Sequence, residues 1–190
     1  MFYSILKPII AVIFKIFFRL EVIGKEFIPK GGGFILASNH ISNLDPVVLG
    51  ACSPGRVYFL AKEELFSNPF FSFLIKRLGA IPLKRGNPQI SSLKKAINIL
   101  RNKKPIVIFP QGTRGNSVTK LFMGVGFLHK KTLAPIIVAK ITGTDKALPK
   151  GKWRLKFFPI KVTFSSLKDL PKDDSYEEIT YKVWNKIENI

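Results

Sequence analysis

The stretch Gly33-Phe34-Ile35-Leu36-Ala37-Ser38-Asn39-His40-Ile41-Ser42-Asn43-Leu44-Asp45-Pro46 decides how this 190-residue chain is read. Its first four residues form a short apolar run of the kind that makes a buried strand. Beyond Pro46, Val47-Val48-Leu49-Gly50 reads as the opening turns of a helix. Between them lies a polar loop carrying His40, one of two histidines in the chain. Proline suits the first helical position, where its missing N–H costs nothing, and it pushes the preceding residue out of the α region. Asp45 is therefore expected at the mouth of the helix as its N-cap, with His40 in the loop leading into it. Two readings of this pair stand. In one, a cap and a loop residue are all there is. In the other, the loop folds back so that the histidine and the carboxylate share a hydrogen bond. Such a bond fixes the imidazole tautomer and leaves the second ring nitrogen free to take a proton.

Outward from this stretch the same rhythm of strand and helix repeats. Residues 56–61 are a second strand candidate. Asn68-Pro69 and Asn87-Pro88 repeat the cap-then-proline signal. The first opens a helix over 70–78 that Gly79 closes in the left-handed conformation. The second opens one whose buried stripe is Ile90, Leu93, Ile97 and Leu100. Residues 80–86 are a short extended segment ending in Lys84 and Arg85. Pro105-Ile106-Val107-Ile108-Phe109 is the most strand-like run and stops at Pro110. It is followed by Gln111-Gly112-Thr113-Arg114-Gly115, a loop whose backbone N–H groups can face an anion and whose Arg114 can grip a phosphate with two hydrogen bonds. An ordinary surface turn is the alternative there. Residues 119–132 read as a helix carrying His129, which has no acid or nucleophile at useful spacing. Residues 134–139 are another buried strand, 143–151 a loop, and 153–164 one or two late strands broken at Pro159. Ser175-Tyr176-Glu177-Glu178 has the form of a capping box opening a helix that runs to about residue 189. This alternation implies one α/β domain with a mostly parallel sheet flanked by helices.

The first twenty residues, MFYSILKPIIAVIFKIFFRL, are strongly apolar. Their longest uncharged run between basic residues, 8–14, is too short to cross a bilayer, which takes about 20 residues. On a helical wheel Ser4, Lys7, Lys15 and Arg19 fall within roughly 120°, and the rest of the surface is Phe, Ile, Val and Leu. That pattern suits a helix lying in a membrane interface, with its basic heads on lipid phosphates and Pro8 starting or kinking it. A core helix and a cleaved signal peptide are the competing readings. The second is opposed by Lys15 in the apolar region and by the lack of a small-residue cleavage site. Residues 21–32 read as a flexible connection into the core.

Composition bounds the partners. The formal net charge is +19, from 31 Lys+Arg against 12 Asp+Glu, which implies anionic partners: acidic lipid, nucleic acid, or an acidic substrate or carrier. A hydrophobic content of 46%, with 17 Phe, excludes a disordered chain. Cys52 is the only cysteine, so no intrachain disulfide forms and a reducing compartment is expected.

In a parallel sheet, ligands bind at the carboxyl ends of the strands. Three of the strands read here end at His40, at Lys84 and Arg85, and at Gln111 to Arg114, so a candidate base and several cations would line one edge. At this point the sequence resembles a known family, the 1-acylglycerol-3-phosphate acyltransferases among the glycerolipid acyltransferases. Asn39-His40-xxxx-Asp45 looks like their first signature block, Gly79-Ala80-Ile81-Pro82-Leu83-Lys84-Arg85 like the second, Phe109-Pro110-Gln111-Gly112-Thr113-Arg114 like the third, and Ala134-Pro135-Ile136-Ile137-Val138 like the fourth. The four fall in order over roughly residues 20–160.

The resemblance implies a glycerol-3-phosphate acyltransferase-like fold, with residues 1–22 as a membrane-interface helix and 23–190 as the acyltransferase domain. It implies His40 as general base on a lysophospholipid hydroxyl and Asp45 as its orienting partner. Lys84, Arg85, Gly112, Thr113 and Arg114 would take the glycerol phosphate, and Asn39, Gln111 and Pro135 would support the motifs. The implied partners are anionic membrane lipid, lysophosphatidic acid, and acyl-CoA or acyl-carrier protein as co-substrate. No cofactor, no metal and no nucleic acid are expected, and the expected place is the cytoplasmic face of the cell membrane. The alternatives are acyl transfer to another lysolipid, such as a lyso-ornithine lipid, a basic nucleic-acid-binding module, and an inactive lipid-binding relative. Neither a Gly-x-Ser-x-Gly elbow nor a histidine close to Cys52 offers a competing nucleophile. Two positions depart from the family pattern: Gln111 stands where it has Glu, and Ala134 where it usually has Val. Gln111→Glu is expected to leave acyl transfer within about tenfold, equivalent to 1.4 kcal/mol, and a larger loss would show that the amide is specifically required.

Overall fold

The computed structural model describes residues 2–83, 90–115, 120–152, 154–168 and 170–190. Its strands are β1 (Glu21–Ile23), β2 (Ile35–Ser38), β3 (Tyr58–Lys62), β4 (Ala80–Leu83), β5 (Ile106–Ile108), β6 (Ile136–Thr142) and β7 (Lys161–Leu167). Its helices are α1 (Phe2–Phe17), α2 (Asp45–Cys52), α3 (Pro69–Arg77), α4 (Ile90–Arg101), α5 (Gly124–Thr132), α6 (Thr144–Ala147) and α7 (Tyr176–Glu188).

The strands form one seven-stranded sheet in the order β1-β7-β6-β2-β5-β3-β4. Every neighbouring pair is parallel except β6 and β7. Both faces are covered, and the strand period of two sorts the residues. Leu36, Val107, Ile137, Ala139 and Ile141 face a core shared with Phe14, Phe18, Val48 and Leu49. Ile35, Ala37, Ile106, Ile108, Ile136 and Val138 face the other, shared with Leu100, Val125, Leu128, Val183 and Trp184. Because β2 and β5 are buried on both faces, they read as unbroken apolar runs rather than as alternating ones. Pro82 is tolerated in β4 because β4 is the sheet's outer strand, where a missing N–H deprives no neighbour.

Several elements differ from the sequence reading. The connection over 21–32 contains β1, which pairs in parallel with β7 at Glu21↔Lys161, Val22↔Val162 and Ile23↔Thr163. A helix–domain boundary at residue 22 therefore falls inside a strand of the sheet. The expected loop over 143–151 holds α6. The expected helix over 119–132 begins at Gly124. The late apolar stretch forms one strand, β7, beginning after Pro159, while Trp153 lies outside the described residues. Asp45 is not an N-cap. It is the first residue of α2, and the cap position is held by Leu44 in the right-handed helical region.

α1 is partly a core helix and partly an unpartnered apolar surface. Phe14 and Phe18 are buried, and Lys7 turns inward to donate to the carbonyl of Ser53 at the end of α2. Burial, with Lys25 as the next cause, pulls the Lys7 ammonium below its ordinary pKa. Lys7 is therefore a docking contact between helices and not a lipid-facing cation. The opposite face exposes Ile5, Ile9, Val12, Ile13, Ile16 and Phe17. No helix among the described residues is long and apolar enough to cross a membrane.

The capping box forms as read. Ser175 Oγ accepts from Glu178 N–H at 3.1 Å, and Ser175 N–H donates to Glu178 Oε2 at 2.6 Å. The backbone and then the hydroxyl of Ser175 hold the Glu178 carboxyl below its ordinary pKa. A lowered folded-state value places its stabilising contribution above the ordinary glutamate range, and that contribution is lost as pH falls through the folded value. Ser175→Ala is expected to cost about 1 kcal/mol of unfolding free energy at neutral pH. Glu178→Gln should lower the melting temperature at pH 7, by a difference from wild type that closes as the solution is acidified. Thermal unfolding across a pH series checks both.

Candidate active site

The parallel strands put the loops after β2, β5 and β6 at one edge, and the sheet order β6-β2-β5 makes them neighbours. The β2–α2 loop sits in the middle. Its organising group is the carboxylate of Asp45, which is fully buried. Oδ2 accepts from His40 Nδ1 at 2.8 Å, from Ile41 N–H at 2.7 Å and from Ser42 N–H at 2.8 Å. Oδ1 accepts from Thr144 Oγ1 at 2.6 Å. The loop thus folds back on its own carboxylate, and Thr144, at the start of α6, closes the other side. With Nδ1–H donated to Asp45, His40 is held in the tautomer that leaves Nε2 as an acceptor. No group among the described residues hydrogen-bonds Nε2. The imidazole stacks on Phe109, with ring centroids 4.2 Å apart and planes 20° apart, which fixes its tilt.

The loop after β5 clamps the main chain of His40 from both sides. His40 N–H donates to Gln111 Oε1 at 2.6 Å, and the His40 carbonyl accepts from Gly115 N–H at 3.0 Å. Gln111 Nε2 in turn donates to the Gly115 carbonyl at 2.9 Å. The Gln111 side chain is buried and links His40 to Gly115. Gly112 has φ +60°, and a Cβ there would meet the Phe122 ring at 2.6 Å, so the turn requires glycine. Thr113 is exposed and Arg114 half-buried. No carboxylate among the described residues pairs with the Arg114 guanidinium.

The loop is also tied to β6. Asn39 continues the ladder with its side chain, Nδ2 donating to the Ile141 carbonyl at 2.8 Å and Oδ1 accepting from Ile141 N–H at 2.7 Å. Ser42 Oγ donates to the Leu148 carbonyl at 2.8 Å. The residues read from the sequence as His40, Asp45, Asn39, Gln111, Gly112, Thr113 and Arg114 are therefore gathered at one edge. Pro135 is not. It precedes β6 at the opposite end of the sheet, about 20 Å away at 3.3 Å per residue, where its carbonyl accepts from Ile35 N–H at 2.9 Å. Lys84 and Arg85 lie outside the described residues. Thr144 and Phe109 are the site neighbours that sequence reasoning passed over. Phe109 was visible as the end of a strand and the opening of the third block but was given no role, and Thr144 carried no signal beyond following the fourth block. Cys52 is buried, and burial pushes its thiol up to about 12, so it offers no thiolate near neutral pH.

This chain is similar to known proteins of one family. Residues 19–142 match the family described as Acyltransferase. The chain is 32% identical over 140 residues to the 1-acyl-sn-glycerol-3-phosphate acyltransferase of Bacillus subtilis (strain 168), covering 72% of this chain and 70% of that protein. It is 33% identical over 120 residues to the protein of the same name from Streptococcus pneumoniae, covering 62% of this chain and 44% of that one. The crystal structure of the 1-acyl-sn-glycerophosphate (LPA) acyltransferase PlsC from Thermotoga maritima superposes with a TM-score of 0.79 at 28% identity, over 98% of this chain and 78% of that chain.

The clamp replaces the expectation for Gln111→Glu. A carboxylate still accepts from His40 N–H, but its second oxygen would face the Gly115 carbonyl, where the amide now donates. A buried mismatch of that kind costs about 1–3 kcal/mol. Gln111→Glu is thus expected to destabilise the fold by that order and to lower acyl transfer tenfold or more at neutral pH. Chemical denaturation and an acyltransferase assay on the same preparation measure the two effects.

Proposed function

Since the chain belongs to the 1-acyl-sn-glycerol-3-phosphate acyltransferase family, we propose that it transfers a fatty acyl group from the thioester of acyl-CoA or acyl-carrier protein to the sn-2 hydroxyl of 1-acylglycerol 3-phosphate, giving phosphatidic acid. The observation that carries this reading is the buried Asp45 bonded to His40 Nδ1 at 2.8 Å, with Nε2 left as an acceptor and Arg114 on the adjoining loop after β5. His40 Nε2 takes the proton of the acceptor hydroxyl as its oxygen attacks the thioester carbonyl. The tetrahedral carbon then expels the thiolate, which recovers the proton from His40. The acyl group passes directly between substrates, in keeping with the buried, protonated Cys52. Arg114, with Lys84 and Arg85, receives the phosphate as a charge-assisted partner. The reaction so drawn uses no cofactor beyond the thioester.

Gln111 does not favour a different acceptor, because both ends of its amide are engaged with main chain. The outer face of α1, apolar over Ile5, Ile9, Val12, Ile13, Ile16 and Phe17, is proposed to dock the enzyme on the cytoplasmic face of the cell membrane, where both lipid substrate and product reside.

Acyl transfer from a labelled acyl thioester to lysophosphatidic acid, measured for wild type and His40→Ala, tests the assignment. The variant should lose about 10²–10⁴ in kcat, the usual contribution of a positioned base. Equal rates would remove His40 from the mechanism, and transfer only to other lysolipids would change the acceptor. Thr144→Val, which deletes one hydrogen bond to a charged group while keeping shape, should lower kcat by about 10–100-fold with KM little changed. Thr144→Ser should recover most of the rate.

A further inference from the structure

Register places more than the His40 loop at the active edge. β7 runs antiparallel to β6, so its first residue, Lys161, pairs with Thr142 at the carboxyl end of β6. Lys161 also pairs with Glu21, the first residue of β1. The segment leading into β7 and the end of α1 therefore both arrive at the edge that carries the site. Main-chain bonds pin that segment there. Lys156 N–H donates to the Ala147 carbonyl at 2.8 Å, and Ile160 N–H to the Phe18 carbonyl at 2.9 Å.

What this pinned segment presents is unusual for a surface in water. Leu155 is 52% exposed and Phe157 73% exposed. Phe157 stacks on Phe17 of α1, centroids 5.3 Å apart, and Phe17 is itself 49% exposed. The apolar outer face of α1 thus continues across Phe17 onto Phe157 without a break. The chain within and just before this segment carries Lys146, Lys150, Lys152, Arg154 and Lys156, all exposed, with Lys146 Nζ 4.9 Å from the centroid of the Phe158 ring and Asp145 the one acidic residue between 143 and 160. Contiguous exposed apolar surface ringed by polar groups marks a contact site. Two copies of this chain meeting here would bring like charges together, whereas anionic lipid complements the ring.

We propose that residues 154–158 are a second lipid-contacting element, continuous with α1, whose Leu155 and Phe157 enter the interface of an anionic bilayer while the surrounding cations meet lipid phosphates. This rests on the membrane-docking reading of α1 given above and extends it. It also sets the enzyme's attitude on the membrane. A helix axis and a contact point off that axis fix a plane, which one helix alone leaves free to roll. The segment that touches lipid leads back through Ala147 to Leu148, whose carbonyl accepts from Ser42 Oγ, and to Thr144 on Asp45.

The test uses the full chain. Because Cys52 is buried, Phe157→Cys and Leu133→Cys can each be labelled at a single position with an environment-sensitive dye. Leu133 is a control, exposed at the end of α5 on the other layer. Vesicles of phosphatidylcholine alone, or mixed in equal parts with phosphatidylglycerol, are the ligand. The dye at 157 should shift to the blue and become shielded from an aqueous quencher on the mixed vesicles, and the dye at 133 should not. Leu155→Ser with Phe157→Ser should weaken sedimentation with vesicles by about tenfold or more. Lys152→Glu with Lys156→Glu should erase the preference for phosphatidylglycerol. Vesicle binding with the dye at 157 still in water would overturn this proposal and leave α1 as the anchor. No vesicle binding at all would overturn both. Burial of the dye without lipid, rising with protein concentration, would make the surface a contact between copies and overturn the lipid assignment.

Discussion

One buried carboxylate holds the active edge together. Asp45 has no access to water, and an ion so placed persists only when its lone pairs are met. Four donors from three places meet it: His40 on its own loop, the backbone of Ile41 and Ser42, and Thr144 after β6. Satisfying the charge and orienting the imidazole are the same set of bonds. A carboxylate at the first position of a helix also sits favourably in the field of the helix N-terminus. Nothing in this arrangement needs a strained backbone at His40. The loop takes its shape because that shape brings its own N–H groups onto Oδ2 together with His40 Nδ1, while no group among the described residues bonds Nε2.

The neighbouring loops then remove the freedom that remains. Gln111 and Gly115 take the N–H and carbonyl of His40, Phe109 takes the face of its ring, and Asn39 splices the loop onto β6. These contacts come from the carboxyl ends of β5, β2 and β6, so the precision of the site depends on the sheet order β6-β2-β5. A local reading of the loop could not supply this. Position 111 is the clearest case: an amide fits because one end must accept from an N–H and the other must donate to a carbonyl.

What could be read from the sequence follows from which signals are local. The central strands were legible because strands buried on both faces are continuous apolar runs, as in Pro105-Ile106-Val107-Ile108. The starts of α2 and α3 were legible from Pro46 and Pro69 and that of α7 from its capping box, while Asn87-Pro88 lies outside the described residues. β1 was not, since Glu21-Val22-Ile23 is three residues long at an outer position and acquires its strand character from β7, which is far away in sequence. Asp45 looked like a cap because aspartate before proline usually is one. Its partners at 144 and in its own backbone are tertiary. The basic stripe on α1 was read as lipid-facing throughout, yet Lys7 faces Ser53, because Tyr3, Phe14 and Phe18 turn that side of the helix toward α2.

The single antiparallel pairing, β6 with β7, explains why the basic, apolar surface and the site share an edge. In an all-parallel sheet each strand begins at the amino edge, and whatever precedes it lies away from the ligand site. Reversing β7 moves its beginning to the carboxyl edge, and β1, parallel to β7, begins there too. The end of α1 and residues 154–158 are therefore delivered beside the His40 loop by strand direction alone. An acceptor lipid held in a bilayer presents its headgroup at the interface and keeps its chain below. An enzyme acting on that headgroup needs its base and its apolar docking surface at the same end of the fold. The reversal of β7 and β1 meets that need through backbone pairing, which side-chain substitutions on the surface leave intact.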